Sequence, residues 1–254
     1  MIRIHPDAHV DAAAVLGRQV VVGPGAVIEA DVVIGDDCVI EAGAVVRSGV
    51  IMGSGNRVHP YAVIGGDPQD LSFDAAVTTH VRIGDRNVFR EHVTVHRATA
   101  AGGATVIGSD CLMMNFSHVA HDCQVGDGCV FANGVQLGGH VQVDDAVVFG
   151  GGSMVHQFCR IGALAMVAAS TLIRKDVLPY SLVGGEPVRH YRSNLIGLRR
   201  AGMTPEVVTA VAARLKALRR SGNRVACDDG GCAELAYLDR WLASPSRRGI
   251  YGWK

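Results

Sequence analysis

Three features of the sequence predict an all-β, left-handed parallel β-helix of hexapeptide repeats with a small C-terminal α-helical domain. An apolar residue recurs at every sixth position along most of the chain. A glycine or other small residue often follows it. Aromatic residues make up only 5% of the composition, whereas 32 of 254 residues are glycine. A core of Val, Ile and Ala with many glycines suits thin β layers joined by tight, repeated turns.

The first run starts at Ile4 and passes through Val10, Leu16, Val22, Ile28, Ile34, Ile40, Val46, Met52 and Val58 to Ile64. A second starts at Ile107 and continues through Met113, Val119, Val125, Phe131, Leu137, Val143, Phe149, Val155, Ile161 and Val167 to Ile173. Ile83, Phe89 and Val95 share the second register. Six residues form one short strand and one turn. Three such sides close an 18-residue triangular coil, and successive coils pair as parallel strands about 4.8 Å apart. The stepped residue points inward, and the small residue after it, as at Gly17, Gly35, Gly108 and Gly126, fits where a bulky side chain would crowd. An ordinary β-sandwich does not explain a six-residue register held this long.

Two interruptions punctuate the pattern. The register breaks between Ile64 and Ile83, and Gly65-Gly66-Asp67-Pro68-Gln69-Asp70-Leu71-Ser72 reads as a loop leaving the helix at about 65–82. A smaller interruption lies at 98–105. Long loops on a repeat scaffold often carry function. The domain reading is therefore a β-helix over 1–186 and a helical module over 187–254. Within that module, Thr204-Pro205-Glu206 marks a helix start. Val207, Val208, Val211, Leu215 and Leu218 keep helical spacing, and Gly222 marks its stop. A last short helix is expected around Leu235, Leu238, Trp241 and Leu242, ending before Pro245.

Charge divides the same way. Lys and Arg equal Asp and Glu at 24 each, but from Pro187 onward there are 13 basic and 5 acidic residues. A basic module favours an anionic partner, the alternative being a solvated helical surface. Seven cysteines without a CxxC pair indicate neither a disulfide framework nor a zinc ribbon; such scattered cysteines usually act as small buried hydrophobes. The N-terminus lacks a signal-peptide core, and no apolar run is long enough to span a membrane. A soluble, cytoplasmic protein without a transmembrane segment or a nucleic-acid partner is expected.

Several of the 11 histidines fall between His96 and His156. With an 18-residue coil, Gly139 stacks on His121, and His140 on Asp122. His156 and Gln157 follow one coil further. The inward register is already filled by Val119, Leu137 and Val155, so these polar groups face outward. An exposed flank makes a poor active site unless water is excluded, and a neighbouring subunit would do that. A trimer with sites between subunits is the natural solution, with His156 an expected contribution from the neighbouring chain. A neutral histidine can take the proton of an attacking hydroxyl. Asp122 could fix its tautomer or simply form an Asx turn. Gly139 could offer its N–H to an oxyanion or merely fit a corner. The competing readings are a zinc site of the γ-carbonic-anhydrase kind, using His118, His121, His140 and His156, and a purely structural β-helix.

Particular strings carry a closer resemblance: Gly66-Asp67-Pro68-Gln69-Asp70-Leu71, Ile83-Gly84-Asp85-Arg86-Asn87, Thr94-Val95-His96-Arg97, His118-Val119-Ala120-His121-Asp122-Cys123, Gly139-His140-Val141, Val155-His156-Gln157-Phe158 and the stretch 194–202. Together they resemble the acyl-[acyl-carrier-protein]–UDP-N-acetylglucosamine O-acyltransferases of lipid A biosynthesis. The resemblance implies transfer of an (R)-3-hydroxyacyl group from acyl carrier protein to the 3-hydroxyl of UDP-N-acetylglucosamine, by a homotrimer. No cofactor or metal is implied beyond the phosphopantetheine of the carrier protein, whose acidic surface suits the basic module. His121 matches the catalytic base and Gly139 the oxyanion-hole glycine, with Asp122 beside them. Asp70, His96, His118, His140, His156, Gln157, Asn194 and Arg200 match positions lining the substrate cleft. Ala169 matches the position that measures acyl length. Ser72 stands where the family usually has Lys, and Ile196 where it often has an acid. A paralogue acylating a related UDP-sugar is the alternative. The Pro-Gln-Asp-Leu loop speaks against the N-acyltransferase acting later in the pathway.

Overall fold

The computed structural model describes residues 1–221 and 232–253. Two-residue strands follow one another at six-residue intervals, beginning Arg3–Ile4, His9–Val10 and Val15–Leu16, and are dealt in turn to three faces. Each pairs in parallel with the strand one coil on: Arg3 with Val21, His9 with Val27, Val15 with Val33. The result is a left-handed β-helix of three sheets, with eleven, nine and eight strands. Strands can be this short because each residue is paired on both sides by coils above and below.

The stepped residues fill the interior. Ile28, Ile40, Val58, Ile64, Phe89, Met113, Phe131 and Phe149 have no exposed surface. The first coil is the exception, with Ile4 48% exposed and Val10 and Leu16 only partly buried, because nothing stacks above it. A second inward position lies two residues earlier and takes Val20, Ala26, Val32, Cys38, Ala44 and Val50, all fully buried. Cys111, Cys123, Cys129 and Cys159 occupy this position too, as the sequence expectation of small buried hydrophobes requires. The thiols of Cys111, Cys123 and Cys129 donate weakly to carbonyls one coil on, as Cys123 does to the Gly138 oxygen at 3.2 Å.

Glycine after the stepped residue answers to a close approach of backbones. A Cβ at Gly108 would stand 2.8 Å from the Gly126 carbonyl carbon. The left-handed backbone falls elsewhere, at the third residue after the stepped one. There 15 of the described non-glycine residues have positive φ, among them Asp122, His140 and Phe158. Such a conformation costs about 1 kcal/mol per residue. It turns the residue's N–H along the prism axis, where it finds a carbonyl of the previous coil: His140 N–H donates to the His121 oxygen at 3.0 Å, and Phe158 N–H to Gly139 at 3.1 Å.

Both interruptions are insertions between coils that remain paired. Strands Val63–Gly66 and His80–Ile83 bracket the first, so the chain leaves the prism only over 67–79, more narrowly than the expected 65–82. The second adds six residues to one coil, since Ile83 pairs with Ile107 at a separation of 24.

The sequence boundary at 186/187 falls inside a hairpin. Ser181–Gly184 and Arg189–Ser193 pair antiparallel on the edge of the first sheet. Among the described residues three helices follow: α1 (Leu195–Arg200), α2 (Pro205–Ser221) and α3 (Ala233–Ala243). The expected Val208, Val211, Leu215 and Leu218 form the buried face of α2. Gly222, the expected stop, lies outside the described residues. The six-residue α1 is too short for periodicity to show in the sequence. The tail then returns to the prism, where His190 bridges to Trp253 and Asp176 to Ile250. His190 is fully buried; its Nε2 accepts from Leu178 N–H at 3.0 Å while Nδ1 faces the Tyr251 oxygen at 3.1 Å. Burial pushes its pKa down to about 4. Among the described residues, no helix is long and apolar enough to cross a membrane.

Candidate active site

The polar cluster lies at the corner between the second and third sheets. Val119 points inward, so its neighbour His118 projects from the second sheet, and the chain turns at His121 and Asp122 before Cys123 re-enters the core. His121 Nδ1 lies 2.8 Å from Asp122 Oδ2. Thr99 holds the same carboxylate through its hydroxyl at 2.7 Å and its N–H at 3.2 Å. Burial pushes the Asp122 carboxyl up, but the bonds from His121 and Thr99 outweigh it and hold the group below its ordinary range. An anionic Asp122 makes Nδ1 the protonated nitrogen and leaves Nε2 as a free base.

Gly139 faces that base. A Cβ built there would stand 2.7 Å from His121 Nε2 and 2.5 Å from Cε1. Among the described residues, the Gly139 N–H has no hydrogen-bond partner. A cavity of about 420 Å³ opens over this pair, lined by Gln69, His118, His121, Gly139, His156 and Gln157 together with the apolar Met154 and Leu172. His156 lines the same cavity as His121 of its own chain. His118 Nδ1 is 2.7 Å from Thr94 Oγ1, and burial, reinforced by His96 and His121, pushes its pKa down to about 4. His96 packs edge-on against His118 at 4.6 Å, and burial lowers its pKa as well. Both rings are therefore neutral at pH 7.

His140 meets His121 edge-on at 5.2 Å and lies flat on Phe158 at 4.7 Å. Asp70 accepts from the N–H and hydroxyl of Ser72, at 2.8 and 2.7 Å, which lowers its pKa. Thus Ser72, in place of a lysine, turns its side chain to Asp70.

Three expected residues lie away from this cavity within the single chain. Asn194 caps α1 by accepting from Gly197 N–H at 3.1 Å, and its amide donates to the Leu164 oxygen at 2.9 Å. Arg200 is exposed in the last turn of α1. Ala169 is exposed at the corner between the first and second sheets, the opposite end of the second sheet's strands from His121. Sequence reasoning missed Thr99 and Thr105, which touch Asp122 from the smaller interruption; two threonines flanking an insertion were the only signal.

His121, Asp122 and His140 offer three possible metal-ligand atoms within 4.8 Å of one another. Asp122 Oδ2, however, is already engaged by Thr99 and His121. His118 and His156, which the zinc reading required, are not in that group.

A family profile described as UDP-N-acetylglucosamine O-acyltransferase, domain 2, matches residues 176–249. The bacterial transferase hexapeptide profile matches 31–66 and 104–139. The acyl-[acyl-carrier-protein]–UDP-N-acetylglucosamine O-acyltransferase of Alkalilimnicola ehrlichii is 45% identical over 94% of this chain and 92% of its own. That of Halorhodospira halophila is 44% identical over 93% and 92%. Among solved structures, the UDP-N-acetylglucosamine acyltransferase of Campylobacter jejuni superposes with a TM-score of 0.91 at 30% identity, over 99% of this chain and 100% of that one. The Bacteroides fragilis enzyme gives 0.90 at 34% identity, over 97% and 99%.

Proposed function

The chain belongs to the acyl-[acyl-carrier-protein]–UDP-N-acetylglucosamine O-acyltransferase family, and from that premise we propose that His121, Asp122 and Gly139 carry the transfer that begins lipid A synthesis. His121 Nε2 removes the proton of the sugar 3-hydroxyl as that oxygen attacks the thioester carbonyl of an (R)-3-hydroxyacyl carrier protein. The carbonyl oxygen becomes an oxyanion beside the Gly139 N–H. When the intermediate collapses, the C–S bond breaks and the imidazolium returns its proton to the departing thiolate. Asp122 stays ionised and holds the imidazolium. No bound cofactor is needed, because the donor brings its own phosphopantetheine thioester. The observation that carries this reading is the 2.8 Å contact from His121 to Asp122, with Gly139, whose N–H is unpartnered among the described residues, packed against the His121 ring.

Asp70, His96, His118, His140, His156 and Gln157 then bind the sugar nucleotide and the acyl group. Met154 and Leu172, 52% and 40% exposed beside the cavity, suit an acyl chain. A homotrimer supplies what one chain lacks: a wall over the open cavity, and Asn194, Arg200 and Ala169 from a second copy. The basic C-terminal module suits the acidic carrier protein.

The test is product mass spectrometry with purified protein, mixed-length 3-hydroxyacyl carrier proteins and several UDP-sugars. The expected product is the 3-O-acylated UDP-N-acetylglucosamine. His121→Ala should lower turnover about 10²–10⁴-fold in an intact fold. Near-normal turnover in that variant would remove His121 from the role.

A further inference from the structure

The six-residue insertion after Arg97 makes one corner of the prism unlike its neighbours. At the two corners below, the left-handed residue gives its N–H to the carbonyl nineteen positions back: His140 to His121, Phe158 to Gly139. The same rule sends the Asp122 N–H to Gly103, but there the insertion has moved the backbone, and the Gly103 carbonyl accepts instead from His80 N–H at 2.9 Å. The Asp122 N–H turns to the hydroxyl of the fully buried Thr105, at 2.8 Å. From the other end of the insertion, Thr99 places both its N–H and its hydroxyl on the Asp122 carboxylate. The insertion thus trades one backbone acceptor for two threonines, and both converge on Asp122.

We propose that Thr99 is a positioning residue of the transfer reaction: it locks the plane of the Asp122 carboxylate so that Oδ2 holds His121 with Nε2 turned to Gly139. The last torsion of an aspartate is soft, because a carboxylate rotates over a broad minimum. Thr105 fixes only the backbone of Asp122. The plane needs donors from outside, and Thr99 supplies two from one rigid, β-branched residue. Thr99 Oγ1 and His121 Nδ1 meet the same oxygen, at 2.7 and 2.8 Å, so a carboxylate that swings loses both. His140 Nε2 waits at 3.7 Å from that oxygen and would become its competing partner. Rotation toward His140 would leave His121 free to change tautomer and present a proton where a base is needed.

The inference rests on His121 as the base, and the variants separate the two ideas. Thr99→Val keeps the shape and the N–H but removes the hydroxyl. It should lower kcat at least tenfold, as befits a lost hydrogen bond to a charged group, with KM within about twofold. Thr99→Ser should restore turnover to within about threefold. The acid limb of the kcat/KM profile should also move to lower pH in Thr99→Val. A carboxylate that has swung toward His140 no longer stabilises the His121 imidazolium, so the base gives up its proton at lower pH. The other titratable groups facing the pair are His140, His118, His96 and Asp70, and all are unchanged in these variants. Melting curves check the fold, and Thr99→Ala takes the place of Thr99→Val should valine not be accommodated. Wild-type kcat with an unmoved acid limb would overturn the proposal. So would a fall in kcat that serine does not rescue and that leaves the limb in place, since that is packing alone. If His121→Ala stays active, the base assignment fails; if it is dead while Thr99→Val is normal, only the role of Thr99 fails.

Discussion

Gly139→Ala tests the centre of the site with one methyl group. Gly139 does not have positive φ, so alanine fits its backbone without strain. All three atoms nearest the new Cβ belong to the His121 ring: Cε1 at 2.5 Å, Nε2 at 2.7 Å and Nδ1 at 3.1 Å. Ordinary carbon contacts lie at about 3.5–4.0 Å, so the imidazole must retreat by about 1 Å. Its Nδ1 is tied to Asp122 at 2.8 Å, so the retreat displaces Nε2 and strains that bond. A misplacement of about 1 Å costs on the order of 10²-fold in rate, or about 2.7 kcal/mol of barrier. The N–H at position 139 survives, so the oxyanion donor is retained and the loss belongs to the base. Stability should change by under about 1 kcal/mol, since a side chain rather than backbone yields. Gly138→Ala is the contrast: its Cβ would stand 2.9 Å from the Gln157 backbone nitrogen, so it should lower Tm instead. Steady-state turnover and melting curves of both variants decide the matter. Gly139→Ala with turnover within twofold of wild type would refute the geometry, and so would a large drop in its Tm.

Three further outcomes are expected. Acidification should unfold the docked C-terminal tail: His190 is held at about 4 when folded against about 6.5 unfolded, so the unfolded chain binds the proton more readily, and stability complete above pH 6.5 is lost as pH falls toward 4, by roughly 3 kcal/mol. Melting at pH 7.5 and 4.5 should show a decline that His190→Gln flattens; parallel declines would contradict the assignment. Arg200→Ala should raise KM for the UDP-sugar or the carrier protein with little change in kcat; a selective fall in kcat speaks against a binding role. Ala169→Gly should lengthen the preferred acyl chain, since each methylene held in an apolar groove is worth about 0.8 kcal/mol, and competition between carriers of different length reads it directly; an unchanged product profile would place the ruler elsewhere.

The hexapeptide register was legible because it is a one-dimensional property. Each coil contacts only its neighbours, so residues 18 apart must meet, and the pairings of Arg3 with Val21 and His118 with Gln136 follow from counting alone. The same counting placed Gly139 beside His121. It failed where the chain departs from the period. Across the 67–79 loop and the six-residue insertion, arithmetic gives no partner, so the threonines around Asp122 stayed invisible, as did the short helix capped by Asn194.

By itself, then, the sequence determined the prism, its filled interior and the corner on which the histidines gather, because a strict period leaves a repeat only one way to stack. Tertiary structure alone decided which nitrogen of His121 faces Gly139, that Thr99 and Thr105 hold Asp122, and that His190 bolts the tail to the prism. Those contacts join residues 12 to 61 apart with no common period. Their distances depend on how insertions and helices settle on the finished coil, and no local pattern of residues encodes that.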